Sequence, residues 1–174
     1  MPTVVISPYS PDWPTQFHAI REELLSAFAP MVVTIEHIGS TSVPGLAAKL
    51  VIDVLLGAHS LADIESKIKP LSEIGYSYVP KYEREIPTRR YFVRAQTTSL
   101  RVHLHAVELH SRIWKEHLAF RDRLRADANL RAQYQALKLR LAEEFADDKA
   151  AYTDAKSPFI QAVLATAFER SDVG

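Results

Sequence analysis

Residues 37–56 read HIGSTSVPGLAAKLVIDVLL. The second half, Leu50–Leu56, is apolar apart from Asp53. A short run of this kind suits a central strand covered on both faces. The first half is a loop of small residues, 39–48, with Pro44 and Gly45 inside it, entered from a strand over Val32–Ile38. Gly39 has no Cβ, so a ligand can approach its backbone. Ser40, Thr41 and Ser42 add hydroxyls and backbone N–H groups that can face an anion if a helical turn begins there. A plain Gly-Ser turn with a Ser or Thr cap fits the same residues. Asp53 raises the value of the loop, because a carboxylate among apolar strand neighbours needs a cation, a metal or a proton. Two readings are open: an internal ion pair with Arg90 or Arg94, or a metal- or phosphate-side carboxylate at the sheet edge.

Outward from this stretch the chain reads as alternating strands and helices. Thr3–Ser7 is rich in β-branched residues and predicts a short strand. Ser10-Pro11 opens a helix whose apolar stripe is Trp13, Phe17, Ile20, Leu24 and Phe28, closed by Pro30. Ser60 caps a helix carrying Leu61, Ile64, Ile68 and Leu71, with Gly75 as its stop and Pro70 interrupting its second half. Tyr76–Val79, Arg90–Ala95 and Leu100–Leu109 predict three more strands, the last two joined through residues 96–99. Three helices follow, marked by Ile113–Leu124, by Leu130–Phe145, and by the Ser157-Pro158 start with Ile160, Val163, Leu164 and Ala167. This order fits an α+β class with a mixed sheet and a C-terminal helical layer. The 174 residues are expected to form one domain, a sheet-rich core over 1–110 and helices over 111–174.

Composition narrows the partners. Lys plus Arg number 21 and so do Asp plus Glu, which argues against nucleic acid and a polybasic membrane contact. No apolar run reaches the roughly 18 residues of a membrane helix. There is no cysteine, which excludes disulfides and thiolate chemistry and fits a reducing compartment. The N-terminus lacks the features of a secretion signal, so a soluble cytoplasmic protein is expected, its oligomeric state open. The charge balance is global only. Residues 1–87 carry 6 basic and 10 acidic side chains, residues 88–174 carry 15 and 11. An Arg-rich stretch over 88–125 suits a phosphate pocket or a salt-bridged surface.

A second constellation is His103-Leu104-His105. Residues i and i+2 of a strand share a face, so both imidazoles point one way. With Asp53 they can form a two-His, one-carboxylate metal set, or they can hydrogen-bond across the sheet. His18, His59, His110 and His117 read as ordinary surface or helix residues. Tyr152 and Lys156, Arg121 and Arg125, and Lys138 are cations and neighbours that can fold over the sheet edge onto a phosphate or pair with surface acids.

The stretch at 37–56, together with RVHLHAVEL, FRDRLRADANLRAQYQALKLRLAEEF and AYTDAKSPFI further on, resembles the GrpB family over nearly the whole chain. The resemblance implies the polymerase-β-like nucleotidyltransferase fold, a mixed sheet flanked by helices with a Gly-Ser element opening the active site. In some bacteria a GrpB-like domain is joined to dephospho-CoA kinase, which points toward nucleotide or CoA metabolism. Active members of the superfamily carry two carboxylates one residue apart and a third on a later strand, together holding two Mg²⁺ ions. Gly39 and Ser40 match the Gly-Ser element, and Asp53 matches one member of the pair. Val51 and Leu55 occupy the two places open to the other member, and His103 and His105 stand where the third carboxylate is expected.

The expectations are therefore these. Asp53, His103 and His105 are the candidate catalytic residues and metal ligands. Gly39, Ser40, Thr41, Ser42, Lys49, Arg90, Arg94, Arg121 and Lys156 are the candidate phosphate contacts. The cofactor is a divalent metal, magnesium or manganese ahead of zinc. The partner is a nucleotide or phosphorylated small molecule. The leading function is metal-assisted nucleotidyl transfer to an unknown acceptor. The alternatives are a non-catalytic nucleotide-binding module, or a hydrolase or oxygenase built on Asp53, His103 and His105.

Overall fold

The apolar run around Asp53 forms an inner strand. In the computed structural model, which describes residues 2–95 and 100–169, it becomes β2 (Val51–Ala58). β2 lies between β1 (Thr34–Ile38), antiparallel to it, and β5 (Arg101–Glu108), parallel to it. β4 (Arg89–Ala95) pairs antiparallel with β5, and β3 (Ser77–Tyr78) with β4, completing a mixed sheet of order β1-β2-β5-β4-β3. The chain between β4 and β5, over 96–99, lies outside the described residues.

The two faces of this sheet have different fates. Ile35, Ile52, Val54, Leu56, Phe92, Val102, Leu104 and Ala106 point to one side. There they meet Trp13, Ile20, Leu24 and Phe28 of α1 (Asp12–Phe28), Ile64 of α2 (Leu61–Glu65) and Leu71 of α3 (Ile68–Glu73). Each such side chain contributes roughly 1.5–3 kcal/mol on burial, so this layer is the main core. The helix predicted over 60–75 is split because Pro70 has no N–H to continue it and α3 restarts at Ile68. Ser60 caps α2, its Oγ accepting from the Asp63 N–H at 3.1 Å.

The opposite face is covered only in part. Ile38, Leu55 and Val107 pack on Trp114 of α4 (Arg112–Ala126). Further along, α5 (Ala128–Glu144), α6 (Lys149–Ala155) and α7 (Ser157–Glu169) fold beside the sheet without closing over Asp53, His103 and His105. The short α6 belongs to no predicted element, since Tyr152 is its one buried residue and no stripe announces it.

The strand expected over Thr3–Ser7 does not form as one. The Thr3 and Val4 N–H groups donate to the Ala146 carbonyl, and only Ser7 bridges to Ala48. The predicted strand at Tyr76–Val79 shortens to Ser77–Tyr78. No described helix is long and apolar enough to cross a membrane.

Candidate functional site

The site begins where β1 ends. Gly39 takes φ 72°, a conformation that only glycine adopts without strain. Local crowding is a second constraint: a Cβ there would stand 2.9 Å from the Asp53 Cβ and closer still to its carboxylate. The loop after it is self-contained. Thr41 Oγ1 donates to the Val51 carbonyl and lies 2.9 Å from Nε2 of His37. Ser42 Oγ donates to the Gly39 carbonyl at 2.5 Å. Thr41 and Ser42 are both buried, so their hydroxyls hold the loop rather than meet a ligand. Ser40 is the hydroxyl that faces outward, into a cleft of about 680 Å³.

The sheet register sets the floor of that cleft. Asp53 is opposite His103, and His105 is opposite Tyr91, all on one face. Asp53 Oδ1 lies 3.1 Å from His105 Nε2 and 3.8 Å from His103 Nδ1. Nδ1 of His105 sits 3.3 Å from an Arg89 guanidinium nitrogen. Arginine can only donate, so this Nδ1 accepts and Nε2 carries the proton given to Asp53. Both nitrogens of His105 are thereby committed, and its task is to hold the carboxylate. Burial pushes the Asp53 carboxyl up, but the hydrogen bond from His105 and the positive charge around it outweigh that and hold it below the usual range. His103 is kept neutral by burial, its pKa lowered to about 4 despite Asp53.

Cations form the opposite wall. Lys138 of α5 is buried, donating to Ser40 Oγ at 2.9 Å and to the Ala47 carbonyl. The ammonium groups of Lys49 and Lys156 lie 5.1 and 4.7 Å from the centre of the same Tyr152 ring. Burial, reinforced by mutual repulsion, lowers Lys138 to about 7 and Lys156 to about 8. Arg89 and Lys149 line the cleft as well, while Asp154 and Glu85 are the exposed acids on its walls.

The sequence-predicted residues thus divide. Asp53, His103, His105, Gly39, Ser40, Lys49 and Lys156 meet at the cleft. Arg90 and Arg94 do not. They project to the other sheet face, Arg90 pairing with Glu65 at 2.8 Å and Arg94 with Glu23 at 2.6 Å. Neither touches Asp53, so the internal ion pair considered for it is not formed. Arg121 pairs with Glu36 and Asp122 and bonds the His37 carbonyl, and Arg125 bonds the Ser42 carbonyl. Both brace the Gly-Ser loop from outside. His117 is not an ordinary helix residue: its ring packs 5.6 Å from that of His105, and burial lowers its pKa to about 3. Arg89 enters the sequence reading only within the Arg-rich stretch over 88–125 and Tyr91 only within a strand, although the parity of β4 points to both, since Phe92 is the natural core residue and Arg90 and Arg94 share its side.

The donor set can be compared with what two Mg²⁺ ions need. Two close dications require several anionic oxygens. This cleft offers one inner carboxylate, faced by Lys49, Arg89, Lys138 and Lys156. Using Nε2 of His105 as a ligand would require its proton on Nδ1, where Arg89 already donates. Among the described residues no group of three or more His, Asp or Glu side chains is arranged to hold a metal ion. The residues present do not fit the two-metal arrangement.

Comparisons with known proteins follow the same lines. The family model described as GrpB protein matches residues 3–166. The glutamate-rich protein GrpB of Alkalihalophilus pseudofirmus is 33% identical, over 92% of this chain and 94% of its own. UPF0157 protein YqkA of Bacillus subtilis is 35% identical over 88% of this chain, which spans only 44% of that relative's length. The crystal structure of GrpB from Enterococcus faecalis superposes with a TM-score of 0.85 at 30% identity, covering 96% of this chain and 99% of that one. The poly(U) polymerase Cid1, at 12% identity and a TM-score of 0.59 over 86% of this chain and 49% of its own, shares the fold alone.

Proposed function

The chain belongs to the GrpB family, and on that footing we propose that it binds a nucleotide or another phosphorylated small molecule in the cleft, with no metal bridging the two. The observation that carries this is the wall of Lys49, Lys138 and Lys156, desolvated cations gathered at Ser40 and Tyr152 with no carboxylate in ion-pair contact among the described residues. Such a cluster is electrostatically unfavourable when empty and is relieved by a polyanion. The nucleotidyltransferase-like fold supports a nucleotide as the polyanion, and the cysteine-free chain suits a reducing cytoplasm.

Calorimetric titration with inorganic tripolyphosphate and with nucleoside triphosphates in EDTA tests this. Binding is expected without a divalent ion, weakened about tenfold by Lys138→Met or Lys156→Met, as for loss of one charge-assisted contact. Affinity is expected to fall as pH rises through 7 to 8, because these two ammonium groups lose their protons there. Absence of binding by the wild-type protein defeats the proposal.

One feature favours a second, catalytic reading. Asp53 is held ionised beside Gly39, where it could take the proton of an acceptor hydroxyl as that oxygen attacks a nucleotide α-phosphorus and pyrophosphate leaves. The lysines would then offset the charge on the leaving group. Transfer of label from a nucleoside triphosphate, lost in Asp53→Asn, is the expected sign. Equal activity in Asp53→Asn removes this reading and leaves the binding one intact.

A further inference from the structure

Past His103 the cleft continues into an outer trough of about 680 Å³, and Lys49, Val51, Tyr82, Tyr91, His103 and Lys149 belong to both spaces. The floor of the trough is the uncovered end of the sheet, with Val51, Tyr91 and Val93 upward and Val79 beside them. Lys49, Lys81, Arg101 and Lys149 also line it. No Asp or Glu does so among the described residues, whereas the inner cleft contains Asp53.

We propose that this trough is a second ligand site, which takes an organic phosphate monoester with an aromatic or apolar body and presents its inner end to His103. Such a ligand complements the trough in shape and charge. An apolar strand face left open to water gains by being covered, at roughly 25 cal/mol per Å². Four cations with no acid between them admit an anionic cover and disfavour a neutral one. Tyr91 and Tyr82, whose rings lie 5.8 Å apart edge to face, supply the aromatic surface. Arg101 and Lys81 line the trough and not the inner cleft, so they hold the anionic end while the body of the ligand covers Val51, Tyr91 and Val93. The Asp53 carboxylate repels a second anion at the neck, which sets this orientation.

The site goes beyond the inner phosphate cleft and can be separated from it. Full-length protein in EDTA, saturated with tripolyphosphate, is titrated with 1-naphthyl phosphate by fluorescence, with inorganic phosphate and 1-naphthol as half-ligands. One equivalent is expected to bind beside the tripolyphosphate, and each half-ligand at least tenfold more weakly. Arg101→Glu combined with Lys81→Glu, two exposed positions that leave the core untouched, is expected to weaken naphthyl phosphate at least tenfold while tripolyphosphate stays within twofold. Expulsion of naphthyl phosphate by tripolyphosphate, or an unchanged affinity in the double variant, overturns the proposal. If tripolyphosphate itself fails to bind, the inner-cleft reading falls, and naphthyl phosphate titrated alone against the double variant still decides the outer site.

Discussion

Gly39 and Asp53 depend on one another through space rather than through sequence proximity. Gly39 adopts the left-handed backbone, and the Asp53 carboxylate occupies the volume a side chain there would need. Gly39→Ala is therefore expected to destabilise the fold by about 2 kcal/mol or more, from the left-handed conformation and the displaced carboxylate together. Urea denaturation measures it, and a change below about 0.5 kcal/mol would mean the loop relaxes freely. This pairing was half legible in the sequence, where a lone acid and a small-residue loop were conspicuous. The partners of Asp53 were less so. Two histidines on one strand face could be read from parity alone, but Arg89 required knowing which side Phe92 faces. The cationic character of the wall was also hidden, because Lys138 and Lys156 come from helices whose approach to the sheet no local pattern encodes.

Helix ends carry the burden of aiming those lysines. Asp127 closes α4 and opens α5, its Oδ1 accepting from the Leu130 N–H at 3.0 Å. The same residue thus sets the angle at which α5 delivers Lys138 to Ser40. Asp127→Ala is expected to cost about 1 kcal/mol, as for other N-cap losses, and thermal denaturation measures it. Tripolyphosphate binding is expected to weaken in step, since the position of Lys138 loosens. An unaltered melting temperature would show that α5 is held by packing of Tyr134 and Leu141 alone. Caps such as Ser60, and the Pro70 break, are readable because each rests on a few adjacent residues. α6 is not, because a seven-residue helix with one buried side chain leaves no periodic trace.

Across the whole molecule, charge is balanced while three histidines, His37 buried and His103 and His117 partly buried, are held neutral. Burial lowers His37 to about 4, His103 to about 4 and His117 to about 3. Unfolded histidine titrates near 6.5. Between pH 6.5 and about 4 the unfolded chain binds protons that the folded chain refuses, so stability falls as pH falls through that window. The contribution is fully present above pH 6.5. A loss of about 2 kcal/mol per histidine is expected between pH 7 and pH 5, lowering the melting temperature by roughly 10–20 °C. A scanning calorimetry profile flat over that range would contradict the burial of these rings. The sequence could supply the mixed sheet and its helical layer from the order of elements. It could not supply the sidedness of charge, because net composition averages the cation-rich cleft against paired acids such as Glu23, Glu36 and Glu65.

The parallel pairing of β2 with β5 has a consequence for synthesis. The residues in register run from Val51 with Arg101 to Ala58 with Glu108. A ribosome adding roughly 5–20 residues per second leaves the greasiest segment of the chain without its inner neighbour for several seconds. Throughout that interval only β1 shields one edge of it. The nascent polypeptide is therefore most exposed to chaperones and to self-association midway through translation, and escapes that hazard once Glu108 has cleared the exit tunnel.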